Sequence, residues 1–198
     1  EPWQDLGIYH PYRNLIPRRC WRAPHNIDLH KCCPRPSLYS DEVMKRCGIE
    51  PMKNNKRTGS SARWTGEKVR YNWCQDGICL MQNANLLKAN GNIDYEKLGI
   101  YLDKWAAANP NFTEAILAAK PICGKENHES WYQGQRPPCD QDRVFLCLMS
   151  QLLWKCKLKE FEECKTLGAH MKECKTYYFR DEEEIKRENR YKFETLEE

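Results

Sequence analysis

The chain has 198 residues, twelve cysteines, a formal net charge of +4 and 40% hydrophobic residues. That length supports one domain with its own core, and no apolar run approaches the roughly 18 to 20 residues needed to span a membrane. The mild charge does not call for a nucleic-acid partner, and membrane insertion is not expected. Twelve cysteines read as a disulfide framework, and hence as a secreted protein of an oxidising, extracellular setting. Zinc is disfavoured: no C-x2-C pair occurs to accompany the one H-x4-H spacing, that of His25 and His30, and His10, His128 and His170 stand apart in sequence. Neither a metal nor a cofactor is expected.

The first 36 residues hold six prolines and four Trp or Tyr without sustained periodicity. They read as an irregular arm tied down by Cys20, Cys32 and Cys33. In "YSDEVMKRCG" Ser40 can cap a helix, Asp41 and Glu42 suit its positive first turn, and Gly48 can end it just past Cys47. Residues 53–70 carry six Lys or Arg against one Glu, with Trp64 the lone aromatic, which suggests a solvated loop. Binding of an anionic surface through this loop is a third and weaker functional class.

"NWCQDGICLMQNANLLKANG" suggests a helix that bends at Gly77 and closes at Asn90-Gly91. "DYEKLGIYLDKWAAAN" places Tyr95, Leu98, Leu102 and Trp105 on one helical face, with Asp94 at its start and Pro110 beyond its end. Asn111 opens an N-x-T glycosylation sequon, and it is also placed to cap a helix that has Glu114 at its third position; the two roles are compatible. A loop with Gly124, Gly134, Pro137 and Pro138 leads to a helix over 141–157, whose "VFLCLMSQLLWKC" has no charge until Lys155. At about 100° per residue, Cys147 and Cys156 point to opposite sides, so this helix is expected to be central and to bridge to neighbours on both. Cys164 and Cys174 follow in "KEFEECKTLGAHMKEC".

The tail over 177–198 is highly charged and has favourable i to i+4 pairs such as Glu182 to Lys186, but too little apolar surface to stand alone. A second copy of the chain is one candidate partner for it, giving a homodimer through this extension. Strand alternation of convincing length is absent throughout. The expected fold is all-α: a compact, disulfide-stapled bundle of six to eight short helices around an apolar cavity. It divides into an irregular arm (1–36), a helical ligand-binding region (37–176) and a charged extension (177–198).

Catalytic constellations are missing. No G-x-S-x-G, H-E-x-x-H, EF-hand loop or P-loop occurs, Cys32-Cys33 is followed by "PRPS", and carboxylate pairs cluster in "EFEE" and the tail, where a solvated helical face accounts for them. An enzyme is not expected. What the sequence offers is apolar bulk. Leu80, Met81, Leu98, Tyr101, Leu102, Trp105, Ile116, Phe145, Met149 and Leu152, chosen for helix face and size, are the candidate lining of a pocket that disulfides could hold open. Alternatively, these side chains fill one another's space.

The intervals Cys47-x26-Cys74-x4-Cys79-x43-Cys123, followed by the C-x8-C of Cys147 and Cys156, closely resemble the six-cysteine signature of insect odorant-binding proteins. The further Cys20, Cys32, Cys33, Cys139, Cys164 and Cys174 resemble the twelve-cysteine Plus-C subgroup, and the likeness covers roughly residues 20 to 175. Two features depart from it. Four residues rather than three separate Cys74 from Cys79, which on an ideal helix turns their sulfurs about 140° apart, and Lys157 stands where the subgroup has proline.

The resemblance implies the interlocked pairs Cys47–Cys79, Cys74–Cys147 and Cys123–Cys156. Six cysteines then remain, three before residue 40 and three after 138. Adjacent Cys32 and Cys33 fit disulfide geometry poorly with each other, so the arm should be stapled to the C-terminal region, in a pairing left open. The resemblance also implies a secreted, non-catalytic carrier of small hydrophobic molecules, odorants or pheromones, with a chemosensory receptor or another odorant-binding protein as candidate partners. The alternative is an extracellular protein–protein interaction module with a fully packed core.

Overall fold

The structure, a computed structural model, describes residues 16–49, 72, 74–126 and 139–178. The basic segment 53–70 and the tail from residue 179 lie outside them, and with them the anionic-surface and tail-dimer expectations. The fold is all-α, with seven α-helices among the described residues: α1 (Leu29–Cys32), α2 (Asp41–Arg46), α3 (Gln75–Asn83), α4 (Tyr95–Ala108), α5 (Thr113–Cys123), α6 (Asp140–Trp154) and α7 (Glu162–Tyr178). Short 3-10 turns lie at Arg18–Cys20 and Pro110–Phe112. Among the described residues, none of these helices is long and apolar enough to cross a membrane.

Capping sets the boundaries. Asp28, Ser40 and Asp94 accept hydrogen bonds from the first-turn amides of α1, α2 and α4. Beyond α2, Gly48 adopts φ +73°, its amide donates to Lys45 O, and Ile49 N donates to Met44 O. That is the double hydrogen bond of a Schellman stop, and the residue after the turn, Ile49, is buried. Asn85 does the same after α3: its φ is +59°, its amide donates to Gln82 O, and Leu86 N donates to Met81 O. The helix therefore ends at Asn83 and does not run on to Asn90-Gly91, because burying Leu86 and Ile93 requires the chain to turn back through a lone antiparallel bridge between Leu87 and Ile93.

Two other boundaries move. Asn111 does not cap: it sits exposed inside the 3-10 turn, and α5 follows from Phe112 without a side-chain cap, because the chain stays helical from Pro110 onward. The sequon threonine, Thr113, donates its hydroxyl to Ala106 O at 2.7 Å. Helix α6 stops at Trp154, short of 157, which leaves Cys156 off its end.

The helices enclose two apolar cores. The first joins α2 to α6 and contains Leu80, Met81, Leu98, Leu102, Ile116, Leu148 and Leu152. The second joins the arm to α7 and contains Ile16, Ile27, Leu29, Leu153, Leu167, Met171 and Tyr178. Helix α6 runs between them, with Val144, Leu148 and Leu152 in the first core and Leu153 in the second. This is why its sequence is apolar nearly all round. The Tyr178 hydroxyl donates to Cys20 O at 2.8 Å, and the exposed Arg19–Glu173 and Lys31–Glu163 pairs line the rim of the second core.

All twelve cysteines are in disulfides, and they divide between the cores. Cys20–Cys174, Cys32–Cys164 and Cys33–Cys156 staple the arm to the C-terminal region. The adjacent pair diverges because Cys32 closes the single turn of α1 while Cys33 is already extended, which gives the two sulfurs different partners. In the first core Cys47–Cys79 is as expected, but the other two pairs are corrected. Cys74 joins Cys139, not Cys147, and Cys123 joins Cys147, not Cys156.

The physical reason lies at the helix ends. Cys74 precedes α3 with φ +65°, so its sulfur is freed from the helical phase of Cys79 and meets Cys139 just before α6. The extra residue between Cys74 and Cys79 is absorbed there. Helices α5 and α6 pack together, placing Cys123 against Cys147, while Cys156, beyond the helix, is carried to Cys33. The two sulfurs of the apolar stretch do reach opposite sides, one into each core.

Candidate ligand-binding core

The segment 34–39 crosses the first core as a strap. Pro34 and Pro36 restrict the chain around Arg35 to extended geometry. Trp105 Nε1 donates to Ser37 O at 2.9 Å and the Tyr101 hydroxyl donates to Leu38 O at 2.6 Å, so α4 holds the strap by two aromatic side chains whose bodies stay apolar. On the α6 side, Arg35 Nη1 donates to Met149 O at 2.9 Å.

A polar belt closes another edge of this core. Three consecutive residues in the first turn of α6 are buried and tied to different elements. Gln141 Nε2 donates to Gly91 O at 3.2 Å, Asp142 accepts from Cys74 N at 2.7 Å, and Arg143 Nη2 donates to the Tyr95 hydroxyl at 3.1 Å and to Lys125 O at 3.2 Å. Asp142 also lies at the positive end of the α6 dipole. Cys74, Cys139 and Asp142 form the one grouping of metal-ligating residue types among the described residues, but the two sulfurs are joined to each other and no thiolate is left to bind a metal.

The ten candidate lining residues come together. Leu80, Met81, Leu98, Leu102, Trp105, Ile116 and Leu152 are buried in the first core, and Tyr101, Phe145 and Met149 pack against it half-buried. Those last three mark where the assembly meets solvent. The three disulfides of this core surround the set: Cys47–Cys79 joins α2 to α3, Cys74–Cys139 joins the start of α3 to that of α6, and Cys123–Cys147 joins α5 to α6.

Sequence reasoning passed over Arg35, Tyr39, Asp142 and Arg143. Arg35 and Tyr39 fall in the proline-rich arm, which has no periodicity to assign a face, and Asp142-Arg143 look like an ordinary charged first turn. Arg35 keeps part of its surface at the solvent, yet its guanidinium is desolvated enough to draw its pKa down to about 10. Tyr39 is 4% exposed, and among the described residues no hydrogen bond reaches its hydroxyl. Burial pushes its pKa well above the usual phenol value, helped by the neighbouring Tyr101 and the Asp142 charge. Burial likewise raises Tyr101.

These two tyrosines should respond oppositely to loss of the hydroxyl. Tyr101→Phe removes the bond to Leu38 O and is expected to cost about 1 kcal/mol, whereas Tyr39→Phe removes a buried hydroxyl that has no hydrogen-bond partner among the described residues and should leave stability unchanged or slightly higher. Denaturant titration separates them, and an equal loss for both would mean that the Tyr39 hydroxyl is hydrogen-bonded. The pH sign is also fixed. Above the ordinary phenol value near 10 the unfolded tyrosines ionise while the buried ones stay protonated, so wild-type stability falls as pH rises past about 10.

No family model matches the chain, and no curated protein or solved structure matches it.

Proposed function

We propose that this protein is a secreted, non-catalytic carrier that takes up small hydrophobic molecules in its first core, of the odorant or pheromone type that the resemblance to insect odorant-binding proteins implies. The observation that carries this reading is the convergence of all ten candidate lining residues on one core, with half-buried Tyr101, Phe145 and Met149 at its edge. The disulfide order adds support. Taking Cys47, Cys74, Cys79, Cys123, Cys139 and Cys147 in sequence, the first joins the third, the second the fifth and the fourth the sixth. That is the interlocked order expected from the resemblance, with Cys139 and Cys147 in the places given to Cys147 and Cys156. Complete pairing of twelve cysteines fits an extracellular location.

Burying about 300 Å² of ligand surface at roughly 25 cal/mol/Å² yields about 7 kcal/mol before association costs, which points to micromolar affinity and broad specificity. The test is displacement of a fluorescent apolar probe by small hydrophobic volatiles. Saturable micromolar uptake by the oxidised protein, lost on reduction, supports the carrier. Met149→Trp should weaken uptake severalfold by filling the edge of the core, and unchanged binding would remove Met149 from the lining.

A second reading, an extracellular interaction module, is favoured by the complete burial of Leu98, Leu102, Ile116 and Leu152, as in a core that is simply packed. No probe uptake by the oxidised protein would select it. A chemosensory receptor, another odorant-binding protein or a second copy of the chain are then the partners to test.

A further inference from the structure

We propose that the cargo of the first core is a long-chain carboxylate, and that Arg35 is the residue that receives its head group. The inference rests on the carrier reading above and adds the chemical class of the cargo. Among the described residues Arg35 forms no ion pair; its guanidinium holds one hydrogen bond, to Met149 O at 2.9 Å. Arg18 and Arg22 also form no ion pair among the described residues, but both are exposed, and the remaining described arginines are paired. Arg19 meets Glu173, Arg46 meets Glu42, and Arg143 meets Asp140, Tyr95 and Lys125 O. A guanidinium has five N–H donors in a rigid fork, so Arg35 retains most of its donor capacity.

Its placement gives that capacity a direction. The strap brings Arg35 onto α6 at Met149, one turn from Phe145, where the half-buried members of the lining set meet solvent. Desolvation lowers its pKa to about 10, which still leaves it cationic at neutral pH. A cation held in such a place without a carboxylate is costly to the empty protein, and an anionic head group would offset that cost on binding. The planar fork matches a carboxylate with two parallel charge-assisted bonds, while the alkyl chain continues past Met149 into the core. An ester or alcohol of equal length offers no charge and cannot accept in that way.

The experiment compares dodecanoate with methyl dodecanoate as displacers of an apolar probe from the fully oxidised protein at neutral pH. Dodecanoate is expected to bind at least about tenfold more tightly. Arg35→Gln should erase that preference while leaving the ester within about twofold of its wild-type affinity, and Arg35→Lys, which keeps charge but not the fork, should retain part of it. Equal affinity of acid and ester for the wild type overturns the assignment and leaves the carrier reading standing. A preference that survives in Arg35→Gln, or an equal loss for both ligands, also overturns it. If neither ligand nor the probe binds, the carrier reading fails and this inference fails with it. The wild-type comparison decides the matter even if a variant does not fold.

Discussion

Removing any one of the three outer disulfides will cost about 3 kcal/mol, while removing all three will prevent the second core from forming. The sequence separations of 154, 132 and 123 residues suggest a larger and graded effect, since an isolated bridge closing so long a loop is worth about 5 kcal/mol. The bridges are not isolated. With Cys32–Cys164 in place, Cys33–Cys156 closes a ring of only roughly ten residues, and Cys20–Cys174 one of roughly twenty. Each therefore constrains an unfolded chain that its neighbours have already tied together, and the three single losses should be similar.

Together the three bridges amount to on the order of 10 kcal/mol, comparable with the whole stability of a domain. A variant with serine at Cys20, Cys32, Cys33, Cys156, Cys164 and Cys174 should lose amide protection in α7, yet keep it in α4 and α5, where the inner bridges remain. Denaturant titration of the three paired-serine variants and hydrogen exchange on the six-serine variant test both halves. Protection in α7 that survives the six-serine change would show that apolar packing of the arm suffices without the bridges.

Leu152→Ala and Leu153→Ala will each cost about 3 kcal/mol, and they will do so in different parts of the molecule. Both leucines are buried on α6, but Leu152 belongs to the first core and Leu153 to the second. Truncation removes similar transfer energy and leaves a similar void in each case, so global unfolding should shift by comparable amounts. Local opening should not. Leu152→Ala should accelerate exchange in α3, α4 and α5, and Leu153→Ala in α1 and α7. Coincident exchange patterns would mean that the two cores open as one unit. The pair also bears on function, because Leu152 lies in the candidate lining set: its truncation should change the size preference of apolar ligands, while Leu153→Ala leaves that preference alone.

Much of the local structure was legible in the chain. Ser40 and Asp94 cap as their neighbours imply, Gly48 stops α2, and the face of Tyr95, Leu98, Leu102 and Trp105 turns inward. The ten lining candidates converge because helical periodicity assigns them to the buried faces of α3 to α6. Asn85 was harder to read, since a left-handed asparagine within an apolar run looks like a continuing helix until Leu86 and Ile93 are seen to be buried together. Arg35 and Tyr39 carried no signal, because a proline-rich strap has no period and its polar groups gain meaning only from what they cross.

The sequence by itself determined that the chain is helical, that its cysteines form a disulfide framework and that the arm must be stapled to the C-terminal region. These follow from residue type and from spacing along one element, where the geometry is fixed by the backbone. Only the tertiary structure decided which cysteines meet, and that the apolar stretch of α6 divides two cores rather than lining one. Pairing depends on where each sulfur lies relative to a helix end: Cys74 just before α3 and Cys156 just after α6 have left the helical phase that spacing assumes, and their partners are set by how whole helices pack.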